Sequence, residues 1–363
     1  MTASSQVGST THGTAQTDPA TVVAPQDSRR GAAQRRYGER RHDGRRYSRF
    51  RQICKLFYWS QHSAAAAHTT WGGTVSLDIR DDQLLDLVDA SATRETLSEA
   101  FTFTEGPIWH PTEHHLTFSD IPTSKLHRWR QGAGFSVYRE VSNMANGNAY
   151  DRQGRLVTCE HATSRVVREE AGALTVLASH YDGKELNSPN DIVVRSDGTI
   201  FFTDPSYGRD SAQHGVERPR ELDFCGVYQI DPAGKLTLLA KDFEMPNGLC
   251  LSLDEQVLYV ADTPRRHVRK FSIDGDTLTG GEVLCDSPAP DGLKIDSQGY
   301  LYAGGPYGVA AYHPEDGTWL GTIETPAFCA NFTWGGADLK SLFMTASTAV
   351  YRIDVKIPGI PLF

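Results

Sequence analysis

The sequence has no long apolar run. None of its hydrophobic stretches approaches the roughly 18–20 uninterrupted apolar residues that a membrane-spanning helix needs. It also lacks a Gly-x-Ser-x-Gly motif, which places the nucleophile in many serine esterases. These absences predict a soluble protein without a membrane partner, and they argue against serine esterase chemistry.

Paired cysteines are missing as well. No Cys-x-x-Cys pair and no Cys/His spacing typical of a zinc site occurs. The six cysteines are Cys54, Cys159, Cys225, Cys250, Cys285 and Cys329. Several lie in apolar, strand-like runs, where a buried free thiol is the usual state. We therefore expect free thiols and a cytoplasmic protein.

Positive charge is scarce outside the beginning of the chain. Residues 1–75 carry eleven Lys and Arg against four Asp and Glu, whereas the remainder carries 25 against 41. The first part has too few apolar residues to offset the entropy of ordering, so we predict a disordered, Arg-rich extension over 1–75. The acidic body over 76–363 repels phosphate backbones, which argues against a nucleic-acid partner, and it suits a cation.

What the body does contain is an internal repeat. Six segments align, and their first residues are separated by 41, 44, 57, 44 and 40 positions. They are EGPIWHPTEHHLTFSD from 105, NGNAYDRQGRLVTCEH from 146, NDIVVRSDGTIFFTDP from 190, NGLCLSLDEQVLYVADT from 247, DGLKIDSQGYLYAGG from 291 and NFTWGGADLKSLFMTAS from 331. Each has an alternating run, a turn and a second run, and further strand-like runs follow in most units. About four strands in roughly 40 residues, repeated six times, predict an all-β, six-bladed β-propeller over 76–363. The longest interval contains an insertion around DPSYGRDSAQHGVERPRELDF.

A propeller must close on itself, because otherwise its terminal blades expose unpaired strand edges. The segment ATRETLSEAFTF, just before the first repeat, is placed to supply the outer strand of the last blade. A short helix over residues 93–100 is the alternative. We favour the strand.

All six repeats begin with a side chain that carries an acceptor oxygen. These residues are Glu105, Asn146, Asn190, Asn247, Asp291 and Asn331. Asn-Gly and Asp-Gly pairs are common hairpin turns, which is the alternative for three of the six. In every repeat, however, the obvious turn follows six or seven residues later, so the first residue marks entry into the innermost strand. Six acceptors would then converge on a central channel, where two carboxylates and several amides suit Ca²⁺.

At these positions the sequence resembles the gluconolactonase family, also called the SMP-30 or regucalcin-like family. The matching stretches are FTEGPIW (103–109), NSPNDIVVRSDGTIFFTDPSYG (187–208), MPNGL (245–249), APDGLKID (289–296) and FMTASTAVYRI (343–353). The resemblance implies a metal-dependent lactonase that hydrolyses sugar-acid lactones such as gluconolactone. It implies Glu105, Asn247 and Asp291 as metal ligands, and Asn190 as a residue that binds the metal in some relatives and the substrate or a metal-bound water in others. The usual ion is calcium, with Mg²⁺, Mn²⁺ or Zn²⁺ as alternatives. Where an animal-type member has Arg, this chain has Ser188, so that enzyme's sugar contacts do not carry over.

Lactone opening needs an electrophile, a nucleophile and a base. We expect Asp291 to be the general base for a metal-activated water, and the partner to be a small-molecule lactone. The predicted substrate contacts are Asn146, His161, Asn190, Tyr207 and Asn331. Asp204 is expected to hold these residues in position and not to contact the substrate itself. His114 and His115 fall in a predicted hairpin turn, where we expect both to be solvated.

Two other functions stay open at this stage. The same metal-centred propeller could hydrolyse phosphotriesters, or it could bind calcium without catalysis, because a fold does not determine a chemistry. We expect a monomer or a small homo-oligomer.

Overall fold

The computed structural model describes residues 73–362. Apart from its last three residues, the predicted disordered extension lies outside this range. Within it, regular structure is almost entirely β-strand, as predicted, and the two helices, α1 (Leu84–Leu87) and α2 (Tyr207–Asp210), are each one turn long. None of the helices between residues 73 and 362 is long and apolar enough to cross a membrane.

Four separate four-stranded antiparallel sheets follow one another along the chain. The first contains β4 (Thr104–His110), β5 (His115–Asp120), β6 (Lys125–Arg130) and β7 (Gly134–Arg139). The second contains β8 (Ala145–Tyr150), β9 (Leu156–Glu160), β10 (Arg165–Glu170) and β11 (Ala173–Ala178). The third contains β14 (Ile192–Val194), β15 (Ile200–Asp204), β16 (Cys225–Ile230) and β17 (Leu236–Phe243). The fourth contains β18 (Pro246–Leu251), β19 (Val257–Asp262), β20 (His267–Asp274) and β21 (Thr277–Asp286). A small hairpin, β12 (His180–Tyr181) with β13 (Lys184–Glu185), separates the second sheet from the third.

The remaining strands form one ten-stranded sheet. They are β1 (Gly73–Thr74), β2 (Leu77–Ile79), β3 (Thr93–Ser98), β22 (Leu293–Ile295), β23 (Leu301–Gly305), β24 (Gly308–Tyr312), β25 (Trp319–Glu324), β26 (Cys329–Gly335), β27 (Ser341–Ala346) and β28 (Ala349–Asp354). Strands β22 to β25 pair in succession, and so do β26 to β28. A single residue pair, Gly305 with Cys329, connects the two sets.

Strand β3 closes the structure. It comes before the first sheet in the chain but pairs antiparallel with β28, the last strand, so that Thr96 lies opposite Tyr351. This confirms the strand predicted for ATRETLSEAFTF and excludes the helix. The pairing covers the free edge that β28 would otherwise expose.

Burial follows the order of strands within each sheet. The inner strands are covered on both faces, and β15 is buried at every residue. The outermost β11 has only its last residue buried. An inner strand therefore needs a nearly continuous apolar run such as Ile-Phe-Phe, whereas an outer strand tolerates alternation with polar residues.

Apolar side chains fill the spaces between successive sheets. Phe202 and Tyr228 of the third sheet share a cluster with Val157 and Val166 of the second. The last strands reach the first sheet in the same way, because the ring of Phe343 stacks on Trp109 with 5.4 Å between centroids. The result is a propeller-like arrangement in which the last strands are neighbours of the first sheet.

One expectation about the first hairpin was wrong. His114 is exposed at the turn with a φ of 50°, but His115 begins β5 and is completely buried. Its Nε2 lies 3.1 Å from the hydroxyl of Tyr150, and burial lowers the pKa of His115 to about 3. Only His114 belongs to the turn. His115 already lies in β5, and its side chain faces the second sheet.

Candidate functional site

The six acceptor residues all lie where an innermost strand begins. Four of them are inside the first strand of a set: Glu105 in β4, Asn146 in β8, Asn247 in β18 and Asn331 in β26. The other two, Asn190 and Asp291, lie two residues before the first residues of β14 and β22. Five are at most 5% exposed, and Asp291 is partly accessible to solvent.

Backbone hydrogen bonds join several of these positions directly. The N–H of Gly147 donates to the carbonyl of Asn190 at 2.8 Å, and the N–H of Gly248 donates to the carbonyl of Asp291 at 3.0 Å. The N–H of Gly292 donates to the carbonyl of Ala330 at 2.8 Å, next to Asn331. Residues far apart in the chain are therefore adjacent in the structure.

Side-chain hydroxyls join two of the remaining positions. Ser119 Oγ of the first sheet donates to the carbonyl of Asn146 at 2.6 Å. Thr203 Oγ1 of the third sheet donates to the carbonyl of Asn247 at 2.7 Å. The side chain of Asn331 hydrogen-bonds to Glu105, which closes a circle of contacts among the six acceptor residues. We call these six residues the acceptor ring.

The glycines after these acceptors are needed for close approach. A Cβ on Gly147 would lie within 3.0 Å of Asn190 and Asp191, and one on Gly248 would lie equally close to Asp291. Neither glycine has the positive φ that a type I′ hairpin turn requires. The Asn-Gly pairs are thus parts of strands packed against the next innermost strand, which excludes the hairpin-turn alternative for them.

The carboxylates of the ring are strongly perturbed. Burial raises the pKa of Glu105 to about 7, and the charge of Asp191 adds to the effect. Burial also raises the pKa of Asp291 well above its usual range, with contributions from Glu105 and Asp191, while a hydrogen bond from Asn247 opposes the rise. Such shifts arise when like charges share a buried space.

Asp191 is a third carboxylate at the ring that sequence reasoning missed. It is 3% exposed, and its Oδ1 accepts the N–H of Ile192 at 2.9 Å. Burial raises its pKa, and the positive charge of Lys294 opposes the rise. A signal was present: four repeats have Gly directly after the acceptor, whereas this repeat has Asp.

These donors fit a hard divalent cation. Across 73–362, no group of three or more His, Cys, Asp and Glu side chains is arranged to hold a metal, so a cation bound among the six acceptors would need amide oxygens as well. Glu105 and Asp291 with Asn190 and Asn247 supply that mixture, which matches the all-oxygen preference of calcium. The raised pKa values of the neighbouring carboxylates Glu105, Asp191 and Asp291 indicate a region short of positive charge.

The other predicted residues lie around the insertion, residues 205–224. Tyr207 begins α2 and is half-buried. Asp204 ends β15, where its Oδ2 accepts the N–H of Asn187 at 2.8 Å and burial raises its pKa to about 7. Ser188 accepts the N–H of Gly208 at 3.0 Å and donates to the carbonyl of Pro205 at 2.6 Å. Ser188 therefore holds the start of the insertion in place.

His161 follows β9 and is 1% exposed. Its Nε2 lies 3.4 Å from Nδ2 of Asn146, and its Nδ1 lies 2.7 Å from the carbonyl oxygen of His214 in the insertion. Burial lowers the pKa of His161 to about 4, so its ring is neutral near pH 7. His161 is thus in hydrogen-bond contact with an acceptor of the ring.

Comparison with known proteins identifies the family of this chain. The family model described as SMP-30/Gluconolactonase/LRE-like region matches residues 103–348. A gluconolactonase of Zymomonas mobilis is 29% identical over 325 residues, which cover 81% of this chain and 90% of that relative. The solved structure of a gluconolactonase from Xanthomonas campestris is 32% identical with a TM-score of 0.75, covering 81% of this chain and 99% of that one.

A more distant structure shares the fold. A regucalcin from Agrobacterium tumefaciens, described as a calcium-binding protein, is 20% identical with a TM-score of 0.62, covering 73% of this chain and 94% of its own. The family model covers more than half of the chain, including all six acceptor positions. The chain therefore belongs to the SMP-30/gluconolactonase/LRE-like family.

Proposed function

We propose that this protein is a metal-dependent lactonase that hydrolyses a sugar-acid lactone, such as gluconolactone, to the aldonic acid. The observation that carries the proposal is the convergence of acceptor side chains from separate sheets, with two perturbed carboxylates among them. The gluconolactonase relatives support a lactone-hydrolysing enzyme, a carboxylic ester hydrolase.

We also propose that the fold is a six-bladed propeller with a metal-binding channel on its axis. The ten-stranded sheet then counts as two blades, β22–β25 and β26–β28 with β3, joined by the single pair Gly305–Cys329. Support comes from the six apolar clusters, since each one fills the space between two neighbouring sets of strands. In the sixth, Ile108 and Leu126 of the first sheet meet Tyr150 of the second.

Glu105, Asn190, Asn247 and Asp291 would hold the cation, with Ca²⁺ preferred and Mg²⁺, Mn²⁺ or Zn²⁺ as alternatives. When bound, such an ion polarises the lactone carbonyl and lowers the pKa of water. Glu105 and Asp291 offset its two positive charges. The amides provide neutral oxygens without adding repulsion between carboxylates.

Asp291 is the general base in this proposal. It alone among the six acceptors is partly accessible, so a water beside its carboxylate can also reach a lactone at the channel mouth. Asp291 takes one proton from that water while the oxygen bonds to the carbonyl carbon. The ring C–O bond of the lactone then breaks, and the oxygen released from it takes up the proton to become a hydroxyl of the aldonic acid.

The remaining residues would bind and orient the substrate. Asn146, Asn190 and Asn331 would contribute their amides, and His161 and Tyr207 would line the side next to the insertion. Asp204 supports this side by fixing the backbone of Asn187. The five described cysteines are free, which supports a cytoplasmic location.

The test is pH-stat hydrolysis of a panel of aldonolactones and one phosphotriester, before and after chelation, with single metals added back. We expect gluconolactone-type hydrolysis that chelation abolishes and calcium restores. Hydrolysis that resists chelation contradicts the mechanism. Faster hydrolysis of the phosphotriester than of the lactones would show that the protein is the alternative phosphotriester hydrolase. Calcium binding without turnover of any substrate would show that it is a binding protein.

A further inference from the structure

The insertion, residues 205–224, meets the acceptor ring through His161. The carbonyl oxygen of His214 can only accept, so the His161 Nδ1 atom 2.7 Å away must carry the hydrogen. Because burial lowers the pKa of His161 to about 4, the ring is neutral near pH 7 and its Nε2 has a lone pair. His161 therefore faces Asn146 as an acceptor.

This acceptor selects one of the two orientations of the Asn146 amide. Nδ2 of Asn146 lies 3.4 Å from His161 Nε2 and can donate into its lone pair. A flipped amide would place the lone pairs of Oδ1 against that of Nε2. The backbone of Asn146 is held separately, because its carbonyl accepts from Ser119 Oγ at 2.6 Å and from Asn148 Nδ2 at 2.9 Å. The orientation of the side-chain amide is thus independent of these backbone contacts, and the hydrogen bond to His161 determines it.

The carbonyl of His214 is itself held in a fixed place. A Cβ on Gly208 would lie within 3.0 Å of His161 and Ser188, so the insertion packs directly against the histidine. Arg209 is 2% exposed and donates to the carbonyls of Asn187, Leu186 and Pro219 at 2.8, 2.6 and 2.7 Å. The imidazole of His214 also meets the ring of Phe103, the residue before β4, edge-to-face with 5.3 Å between centroids. These contacts hold the insertion in a fixed position beside His161.

We propose that His214, His161 and Asn146 form a hydrogen-bonded relay that presents the Oδ1 of Asn146 to the channel. In this arrangement Asn146 accepts a hydrogen bond from a hydroxyl of a polyhydroxylated lactone and does not donate to the lactone carbonyl. His161 is a positioning residue, which acts on substrate through Asn146. The ligand assignment rests on the proposed lactonase function, whereas the relay does not.

Two amide substitutions separate the two hydrogen bonds of His161. His161→Asn keeps a donor near the position of Nδ1 and removes the acceptor for Asn146, whereas His161→Gln keeps an acceptor near the position of Nε2. We expect kcat/KM for glucono-1,5-lactone to fall about tenfold in His161→Asn, the size of one lost hydrogen bond, and to stay within about threefold in His161→Gln. δ-Valerolactone has no hydroxyl, so its kcat/KM should change less than about twofold in both variants.

The exposed His180→Asn is the matched control and should behave as wild type. Thermal midpoints near the wild-type value establish that both His161 variants are folded. Equal losses in His161→Asn and His161→Gln overturn the proposal, and so does a parallel loss on δ-valerolactone.

A second readout is independent of turnover. Nitrogen NMR of the wild-type protein should show His161 protonated at Nδ1 only near pH 7. In Asn146→Asp a carboxylate faces Nε2, so the pKa of His161 should rise. An Nε2-protonated ring, or an unchanged pKa in the variant, overturns the relay. A wild-type protein that hydrolyses no lactone overturns the proposed function alone, and the NMR result then decides the relay.

Discussion

Replacing Glu105 by Gln should stabilise the metal-free protein above neutral pH. Glu105 keeps its proton up to about pH 7 in the folded state, whereas the unfolded chain releases it near 4.5. Its contribution to stability is therefore complete below pH 4.5 and is lost as the pH rises through 7. The difference between the folded and unfolded pKa values of Glu105 corresponds to a loss of about 3 kcal/mol in the free energy of unfolding at about pH 8. The unfolding midpoint of Glu105→Gln should therefore be roughly 6 °C higher than that of the wild type.

The assay is thermal unfolding with chelator at about pH 5 and pH 8, repeated with excess calcium. The advantage of Glu105→Gln should be small at the lower pH and large at the higher. At a calcium concentration about 100 times its Kd, the wild type should gain about 2.7 kcal/mol and the variant much less. Asp204→Asn is the matched control, because burial also raises the pKa of Asp204 to about 7 but Asp204 is not a proposed ligand.

The control should show the same pH-dependent stabilisation and keep the full gain from calcium. If Glu105→Gln is less stable than wild type at pH 8 with chelator, Glu105 is not the buried, costly charge described above. If the variant gains as much from calcium as the wild type, Glu105 is not a ligand.

Three further predictions concern the ring. Asp291→Asn should lower kcat for lactone hydrolysis by about 10²–10⁴-fold while the fold is kept, measured by pH-stat and thermal unfolding; a variant with more than half of the activity would exclude Asp291 as the base. Gly248→Ala should destabilise the protein by about 1–3 kcal/mol, because the new Cβ collides with Asp291, whereas Gly73→Ala, with no atom within 4 Å, should be neutral in the same thermal scans. Equal midpoints for the two alanine variants would contradict the packing of the ring. Asp191→Asn should weaken calcium binding by about three- to tenfold in titration calorimetry, since it removes a charge that acts at a distance, and unchanged affinity would show that Asp191 is electrostatically separate.

The period of the repeat made the strands and the innermost positions predictable. Each first strand must reach the centre at the same place in its repeat, so the equivalence of Glu105 and Asn331 can be read from the sequence alone. The closing role of β3 was predictable for a similar reason, because a ring of sheets cannot leave the edge of β28 uncovered.

Contacts that depend on distant residues were not predictable in this way. Asp191 after Asn190 resembles a turn, and its burial results from packing against Gly147 of another sheet. His161 and His214 are 53 residues apart, and the insertion that contains His214 has no repeat pattern that would place it against the second sheet. Side chains at the edges of a repeat are positioned by tertiary packing, and a single sequence carries little information about it.

A crystal structure of the full chain with bound calcium tests the central claim most directly. We predict one calcium ion on the axis, with oxygens of Glu105, Asn247 and Asp291 each about 2.3–2.6 Å from it. Calcium bound elsewhere, or a structure in which one of these three side chains cannot reach the ion shared by the other two, would contradict the account.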